Sequence, residues 1–475
     1  MSNGYFIDDP AERDRYRDEP LPDSNDPVLD PKPDSIADDK PLQEIQLDED
    51  ATLAIAYGQH VVAGNLVKYE YSSTPKAEMK FISALGEGVW EGVVDFGGSP
   101  PPQPEVYFGG DRLVEATTAT TPGFKFHPGT LSSGASDAVQ GTPLFFPADP
   151  KLTYSGTAYI EILLNEADSV EQRVDKFRGI FKCKKVDDYN SSGVVVAGGP
   201  TYSTNPARVA ADLLKRVGKL SLVDWPSWVA WRDYCDTTIT YDTVSIKRFE
   251  CHLVVLASTT IADVLTAITT TTCSFWQDSG DKVVFLLPVE AAPGGYTPVY
   301  TFNASNCRNV SVIANDRTSL PTGYTATFRD LNDPFMTEVT AEWIDETSES
   351  QIGRNRVDIQ LPPMHRSQAE RICAYRLALD SKFSTDIEWI GFGGSVAVLP
   401  GDIVKITHPV LPFTNGAEAN TAFVLVTNTE DLTETDGAST RRIRGRRITT
   451  EGLYSDLNYT LPANEILFNI VTEEP

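Results

Sequence analysis

Asp402, Lys405 and His408 stand close together in the stretch SVAVLPGDIVKITHP, residues 395–409. An acid, an amine and an imidazole are residue types that pass protons, provided a cleft brings them to one point. The turn between them argues for a different role. Pro400 presets the backbone at the first central position of a type II turn, and Gly401 supplies the positive φ that the second requires. Val396 and Val398 alternate before the turn, Val404 and Ile406 after it. The pattern predicts a strand, a sharp corner and a second strand, with Asp402 and Lys405 turned to solvent. No base or metal ligand in the sequence pairs with this acid, so the stretch reads as a β-corner.

Other candidate chemistry is sparse. Glu342 and Asp345 have the residue types of a glycosidase pair, but nothing in the sequence sets them across a cleft. Six cysteines stand at Cys183, Cys235, Cys251, Cys273, Cys307 and Cys373, none in a C-x-x-C pair. They read as small core residues, and the dispersed histidines have no second-ligand spacing, so no metal site is expected. A G-x-S-x-G elbow, a phosphate loop and an H-E-x-x-H motif are absent from the sequence. GGSPPP and IGFGGS are rich in glycine but do not stand between a strand and a helix. The expectation is therefore no catalytic, cofactor-binding or metal-binding residue, no cofactor, and no enzymatic activity. One basic cluster, RRIRGRR, holds Arg441, Arg442, Arg444, Arg446 and Arg447. On a strand, Arg442, Arg444 and Arg446 share one face, which reads as a solvated or intersubunit surface in so acidic a chain.

The chain has 475 residues and a formal net charge of −27. That charge argues against holding nucleic acid, which needs clustered cations that release counter-ions. It suits DNA passing nearby without sticking. No apolar run is long enough to span a bilayer, so no stable membrane insertion is expected. The N-terminus lacks the basic-then-apolar pattern of a signal peptide, which predicts synthesis in the cytosol without export.

The elements that would position these residues fall into four parts. Residues 1–50 carry sixteen acidic against five basic side chains and seven prolines, which predicts an extended arm. Residues 51–190 alternate apolar and polar positions between glycines and read as a first β-barrel-type domain. Residues 191–300 read as an α+β domain. In STNPARVAADLLKRVG, Asn205 is the N-cap, Pro206 the first helical residue and Gly218 the stop, with Val209, Ala210, Leu213, Leu214 and Val217 as the apolar stripe. DWPSWVAWRDYCD and STTIADVLTAITTTT predict two more helices, the first with Trp228, Trp231 and Cys235 inward. A hairpin turning at Ser279-Gly280 follows. Residues 301–475 read as a second β-rich barrel-type domain with one packed helix, opened by a capping box of Ser367 and Glu370. The fold class expected is β-rich α+β multidomain, with two tube-like β-barrel domains around an α+β domain.

The order NPARVAADLLKRVG, LVDWPSWVAWRDYCD, KRFECHLVVL, ASTTIADVLTAITTTT and CSFWQDSGDKVVFLLP resembles the tail-tip attachment protein J family of long-tailed bacteriophages. The slots are filled by Asn205-Pro206-Ala207, Tyr234-Cys235-Asp236, Phe249-Glu250-Cys251 and the helix from Ile261 to Ile268. RNRVDIQLPPMHRSQAERICAYRL and VLPGDIVKITHP resemble later segments of that family, and YGQHVVAGNLV and ALGEGVWEGV resemble earlier ones. Residues 1–50 have no counterpart there.

The resemblance implies a baseplate or tail hub, a structural virion protein of the phage tail assembled in the host cytoplasm. Three copies with two tube-like barrels each would form a ring. Such a homotrimer joins a hexameric tail tube or distal tail protein to the tail tip, and its partners would include the tape measure protein and tip or fibre proteins. DNA would pass through during genome ejection without specific binding. The corner at Pro400-Gly401-Asp402 would then shape a barrel. The acidic arm is expected to dock on a neighbouring molecule, with the arginine strand as the complementary surface. Two other readings of the residues remain, a tail-associated cell-wall hydrolase and a receptor- or glycan-binding tail tip protein.

Overall fold

The computed structural model describes residues 53–449 apart from 73–77, 96–104, 109–110, 131–143, 147–155, 166–176, 242–243, 257, 280, 290–295, 315–319, 334–335, 383–384, 416–417 and 434–438. The acidic arm expected over residues 1–50 lies outside the described residues.

Alternating apolar positions between glycines give the first eleven strands. They are β1 (Ile55–Tyr57), β2 (Gln59–Val62), β3 (Asn65–Ser72), β4 (Glu78–Glu87), β5 (Trp90–Val93), β6 (Val106–Phe108), β7 (Asp111–Arg112), β8 (Gly123–His127), β9 (Thr157–Asn165), β10 (Phe177–Val186) and β11 (Thr201–Tyr202). One antiparallel sheet runs β3-β4-β9-β8. A second is organised around β10, which pairs with β2, β5, β6 and β11. The facing sides share a core in which Phe81, Ile160 and Ile162 meet Trp90, Phe177 and Phe181. Burial of such aromatic and branched side chains supplies the main force holding the sheets together. Among the described residues the strand pairing gives two packed sheets, without closing a ring.

The middle of the chain carries α1 (Pro206–Arg216), α2 (Trp225–Asp236), β12 (Thr238–Tyr241), β13 (Val244–Lys247), β14 (Leu253–Val255), α3 (Ile261–Thr271), β15 (Phe275–Asp278) and β16 (Val283–Leu286). Each helix starts on a side-chain cap. Asn205 accepts from the Ala207 amide, Asp224 from Ser227 and Thr260 from Asp263. These bonds satisfy amides that a helix start leaves orphaned. Val209, Ala210, Leu213 and Leu214 are buried as the stripe requires. Val217 is not, at 47% exposed: it is the C-cap residue, and the chain leaves the helix there through Gly218 at φ 71°. Trp228 donates to the Ala207 carbonyl, and Trp231 stacks on Phe285 of the β15–β16 hairpin. β1 pairs with β14, so the start of the described chain is part of this region's structure.

The remainder comprises β17 (Tyr300–Asn303), β18 (Cys307–Ala314), β19 (Gly323–Arg329), β20 (Glu338–Ile344), α4 (Glu346–Ile352), β21 (Arg356–Gln360), α5 (Arg366–Lys382), β22 (Thr385–Phe392), β23 (Ile403–Thr407), β24 (Thr414–Asn415), β25 (Glu418–Ala419), β26 (Thr421–Thr433) and β27 (Ser439–Ile448). A six-stranded sheet runs β17-β23-β26-β27-β22-β18, with β17 and β23 parallel. Phe302, Ile387, Trp389, Val404, Ile406 and Ile443 form its core. A three-stranded sheet, β20-β19-β21, shares a core with α5 and with α1, α2 and α3.

The capping box does not form. α5 begins at Arg366, so Ser367 lies inside the first turn, where its buried hydroxyl has no hydrogen-bond partner. Glu370 instead accepts from Arg366 at 2.9 Å. All six cysteines are buried free thiols. Among the described residues no helix is long and apolar enough to cross a membrane.

Candidate functional site

The corner at Leu399-Pro400-Gly401-Asp402 forms as a turn, closed by the Asp402 amide on the Leu399 carbonyl at 3.1 Å with Gly401 at φ 96°. Its flanks differ from the expectation. Before the turn the chain runs as a short 3-10 helix, Gly393–Ala397, and β23 follows after it. Asp402 is turned inward. Its carboxylate accepts from the Leu399 amide at 2.8 Å and from Gln277 at 3.4 Å, and burial raises its pKa. Gln277, on β15, also donates to the Pro400 carbonyl. A Cβ on Gly401 would lie 2.6 Å from the Leu286 side chain on β16. The corner is thus a clasp between the β15–β16 hairpin and the six-stranded sheet. Lys405 pairs with Glu418, and His408 accepts the Val410 amide, so neither joins Asp402 in a site.

The arginine strand is β27. Arg442 and Arg444 are exposed and Arg446 is half-buried, while Arg441 and Ile443 are buried. The alternation agrees with the shared face read from the sequence. Arg442 pairs with Glu430 and Glu388, Arg444 with Asp386, and Arg446 with Asp380 and Asp386. Each of the three therefore has carboxylate partners on its own chain. Glu342 pairs with Arg356, and Asp345 caps α4 by accepting the Ser348 amide. They are not partners across a cleft.

A polar junction that spacing did not reveal gathers residues from distant parts of the chain. At its centre Glu250, after β13, accepts from Thr204 at 2.8 Å through one carboxylate oxygen and lies 3.1 Å from His365 Nε2 through the other. His252 Nε2 lies 3.9 Å from that second oxygen. Gln368, on α5, accepts the Glu250 amide and donates to the Glu250 and Thr271 carbonyls, so one side chain completes three backbone bonds. The Gln59 amide donates to His252 Nδ1 at 2.8 Å. That bond requires a lone pair on Nδ1 and places the His252 proton on Nε2.

Gly58 makes room for this arrangement. Its φ is 74°, and a Cβ there would stand 2.6 Å from His252 Nδ1 and 2.5 Å from the Cys251 carbonyl. Burial alone would raise the Glu250 pKa. The neighbouring His365 and His252 imidazoles outweigh it and hold the carboxyl well below the usual range. His60, on β2, is pushed down to about 3, chiefly by burial and next by His252. Glu250, His252, His365, Lys182 and Lys247 line a recess of about 310 Å³.

A second buried pair lies in the first sheet. Glu161, on β9, meets His127 Nε2 at 2.5 Å and accepts the Leu144 and Phe145 amides. His127 stacks on Tyr159 with ring centroids 4.3 Å apart. This carboxylate fastens the 144–146 segment onto the sheet.

The Thr204 hydroxyl donates to the Glu250 carboxylate. Nε2 of His252, buried without a hydrogen-bond partner, carries a proton and offers no lone pair to a metal. Among the described residues no group of three or more His, Cys, Asp or Glu side chains could hold a metal ion. Burial pushes the Cys251 and Cys373 thiols up to about 12, far from the thiolate a cysteine nucleophile needs.

No family model matches the sequence, and no curated protein matches it. Solved structures do match. A chain from the virion of a native gene transfer agent particle aligns over 90% of this chain and 89% of its own, with a TM-score of 0.60 and 13% identity. The tail protein from Neisseria meningitidis MC58 aligns over 85% of this chain and 99% of its own, at a TM-score of 0.34 and 11% identity. The 43 kDa tail protein of prophage MuSo2 from Shewanella oneidensis aligns over 85% and 99%, at 0.32 and 10%. The first of these likenesses shows that the β-rich fold described above is shared with a protein of that virion.

Proposed function

We propose that this chain is a structural tail protein of a phage-like particle, and that three copies form the hub of its tail. The carrying observation is the fold shared with the gene transfer agent virion chain over nearly the whole of both chains. On this reading the two sheet systems, one around β4 and β10 and the other around β26 and β27, are completed into tube-like barrels in the assembled ring. Residues 51–190 and 301–475 supply the barrels, and residues 191–300 hold them apart. The ring joins a hexameric tail tube or distal tail protein to the tip, with the tape measure protein and tip or fibre proteins as further partners. Closed threefold packing makes its interfaces heterologous.

The charge of −27 supports a conduit that repels DNA, and the arginines of β27 are offset by neighbouring carboxylates. The clasped corner and the junction around Glu250 supply rigidity to such a ring. Negative-stain electron microscopy of the concentrated protein, alone and with its tube partner, is the test. Threefold rings with a central hole are expected. Monomers under both conditions, together with cell-wall hydrolysis or glycan binding by the purified chain, would overturn the hub.

A further inference from the structure

We propose that residues 42–50 of this chain, LQEIQLDED, occupy an apolar groove beside β14. The groove has a volume of about 460 Å³, and Leu253, Leu256, Phe328, Leu361 and Pro362 are among its walls. Leu256 is 51% exposed, and β14 is hydrogen-bonded along one side only, to β1, among the described residues. Open apolar surface of this kind is favourable to cover, at roughly 25 cal/mol per Å².

Two observations identify the occupant. The described chain begins at Leu53, and Ala54 is itself a wall of the groove, so the residues just before it are tethered at its mouth. Leu47 lies six positions upstream and Leu42 eleven, which an extended chain covers within roughly 20 and 36 Å. Such a tether confers an effective concentration on the order of millimolar without any new contact.

The segment also fits in character. Leu42, Ile45 and Leu47 are the nearest upstream leucine and isoleucine residues, and Ile45 and Leu47 alternate with polar residues as in a half-buried strand. Arg329 and its cross-strand neighbour Glu338 also line the groove, and Arg329 donates to the Met336 carbonyl at 3.5 Å. The inference is independent of whether the chain assembles as a hub.

The test uses the full chain with a photoreactive benzoylphenylalanine at Leu47, irradiated in dilute solution and mapped by mass spectrometry. Cross-links to residues 253–256 or 360–363 within a product of single-chain mass are expected. Cross-links elsewhere overturn the proposal, and so do products that join two chains, which would make the occupant a second copy. In parallel, the Ile45→Asp/Leu47→Asp variant is expected to exchange the amides of residues 253–256 about tenfold faster than the parent. Equal exchange rates would also sink it.

Discussion

His60 is 5% exposed on β2, its Nε2 has no hydrogen-bond partner, and its pKa is pushed down to about 3. An unfolded chain protonates this side chain below about pH 6.5, whereas the folded one keeps it neutral. The stabilising contribution is therefore complete above pH 6.5 and is lost as pH falls toward 3. Each pH unit in that window costs about 1.4 kcal/mol. His60→Leu removes the titration, so between pH 7 and 4.5 its urea midpoint should fall less than the parent's, by the equivalent of about 3 kcal/mol. Parallel curves for the two proteins would show that His60 is protonated in the fold.

The cysteines could be read as core residues from sequence because burial is their commonest state. The Glu250 junction could not. Its members stand at 59, 204, 250, 252, 365 and 368, and no local spacing joins them; only the packing of α5 against the loop before β14 brings His365 and Gln368 to Glu250.

Helix starts separate the legible from the illegible among elements. Asn205 followed by Pro206 could be read as a cap because both residues act on their own turn. Ser367 with Glu370 has the same local grammar, yet α5 starts two residues earlier than that cap would place it, and Arg366 takes the glutamate. Asn205→Ala is expected to cost about 1 kcal/mol, whereas Ser367→Ala should be neutral or stabilising, since it removes a buried hydroxyl that lacks a partner. Denaturant midpoints of the two variants distinguish these roles.

The β-corner shows the same division. Its turn could be read from Pro400-Gly401, but its partner could not, because Gln277 lies more than a hundred residues away. Gly401→Ala combines a positive φ with a 2.6 Å approach to Leu286, and should cost on the order of 1–3 kcal/mol. Gln277→Ala should leave the turn in place and speed amide exchange at Gly401 and Asp402. Unchanged exchange there would mean that the sheet alone holds the corner.

On the scale of the whole molecule, charge is distributed by pairing. The exposed arginines of β27 face carboxylates on β22, β26 and α5, which leaves little free positive charge on that face. The chain is therefore expected to leave duplex DNA unshifted in a mobility assay at physiological salt. A salt-dependent shift would contradict the conduit. Reversing Arg442, Arg444 and Arg446 to Glu sets like charges against Glu388, Glu430, Asp386 and Asp380. The thermal midpoint of the isolated chain should fall as a result, whether or not it assembles. A change in assembly with no change in thermal midpoint would instead assign these arginines to an interface.

The six buried thiols bear on how the molecule ages. Storage in aerated buffer exposes a protein to peroxide and trace metals for long periods, yet oxidation requires a thiolate within reach of solvent. Cys183, Cys235, Cys251, Cys273, Cys307 and Cys373 are distributed through the sheets and helices, and the folded chain shields them all. A maleimide dye should leave the intact protein unlabelled and mark each thiol as its own region opens. The pattern of labelled cysteines would then record which part of the molecule gives way first during storage.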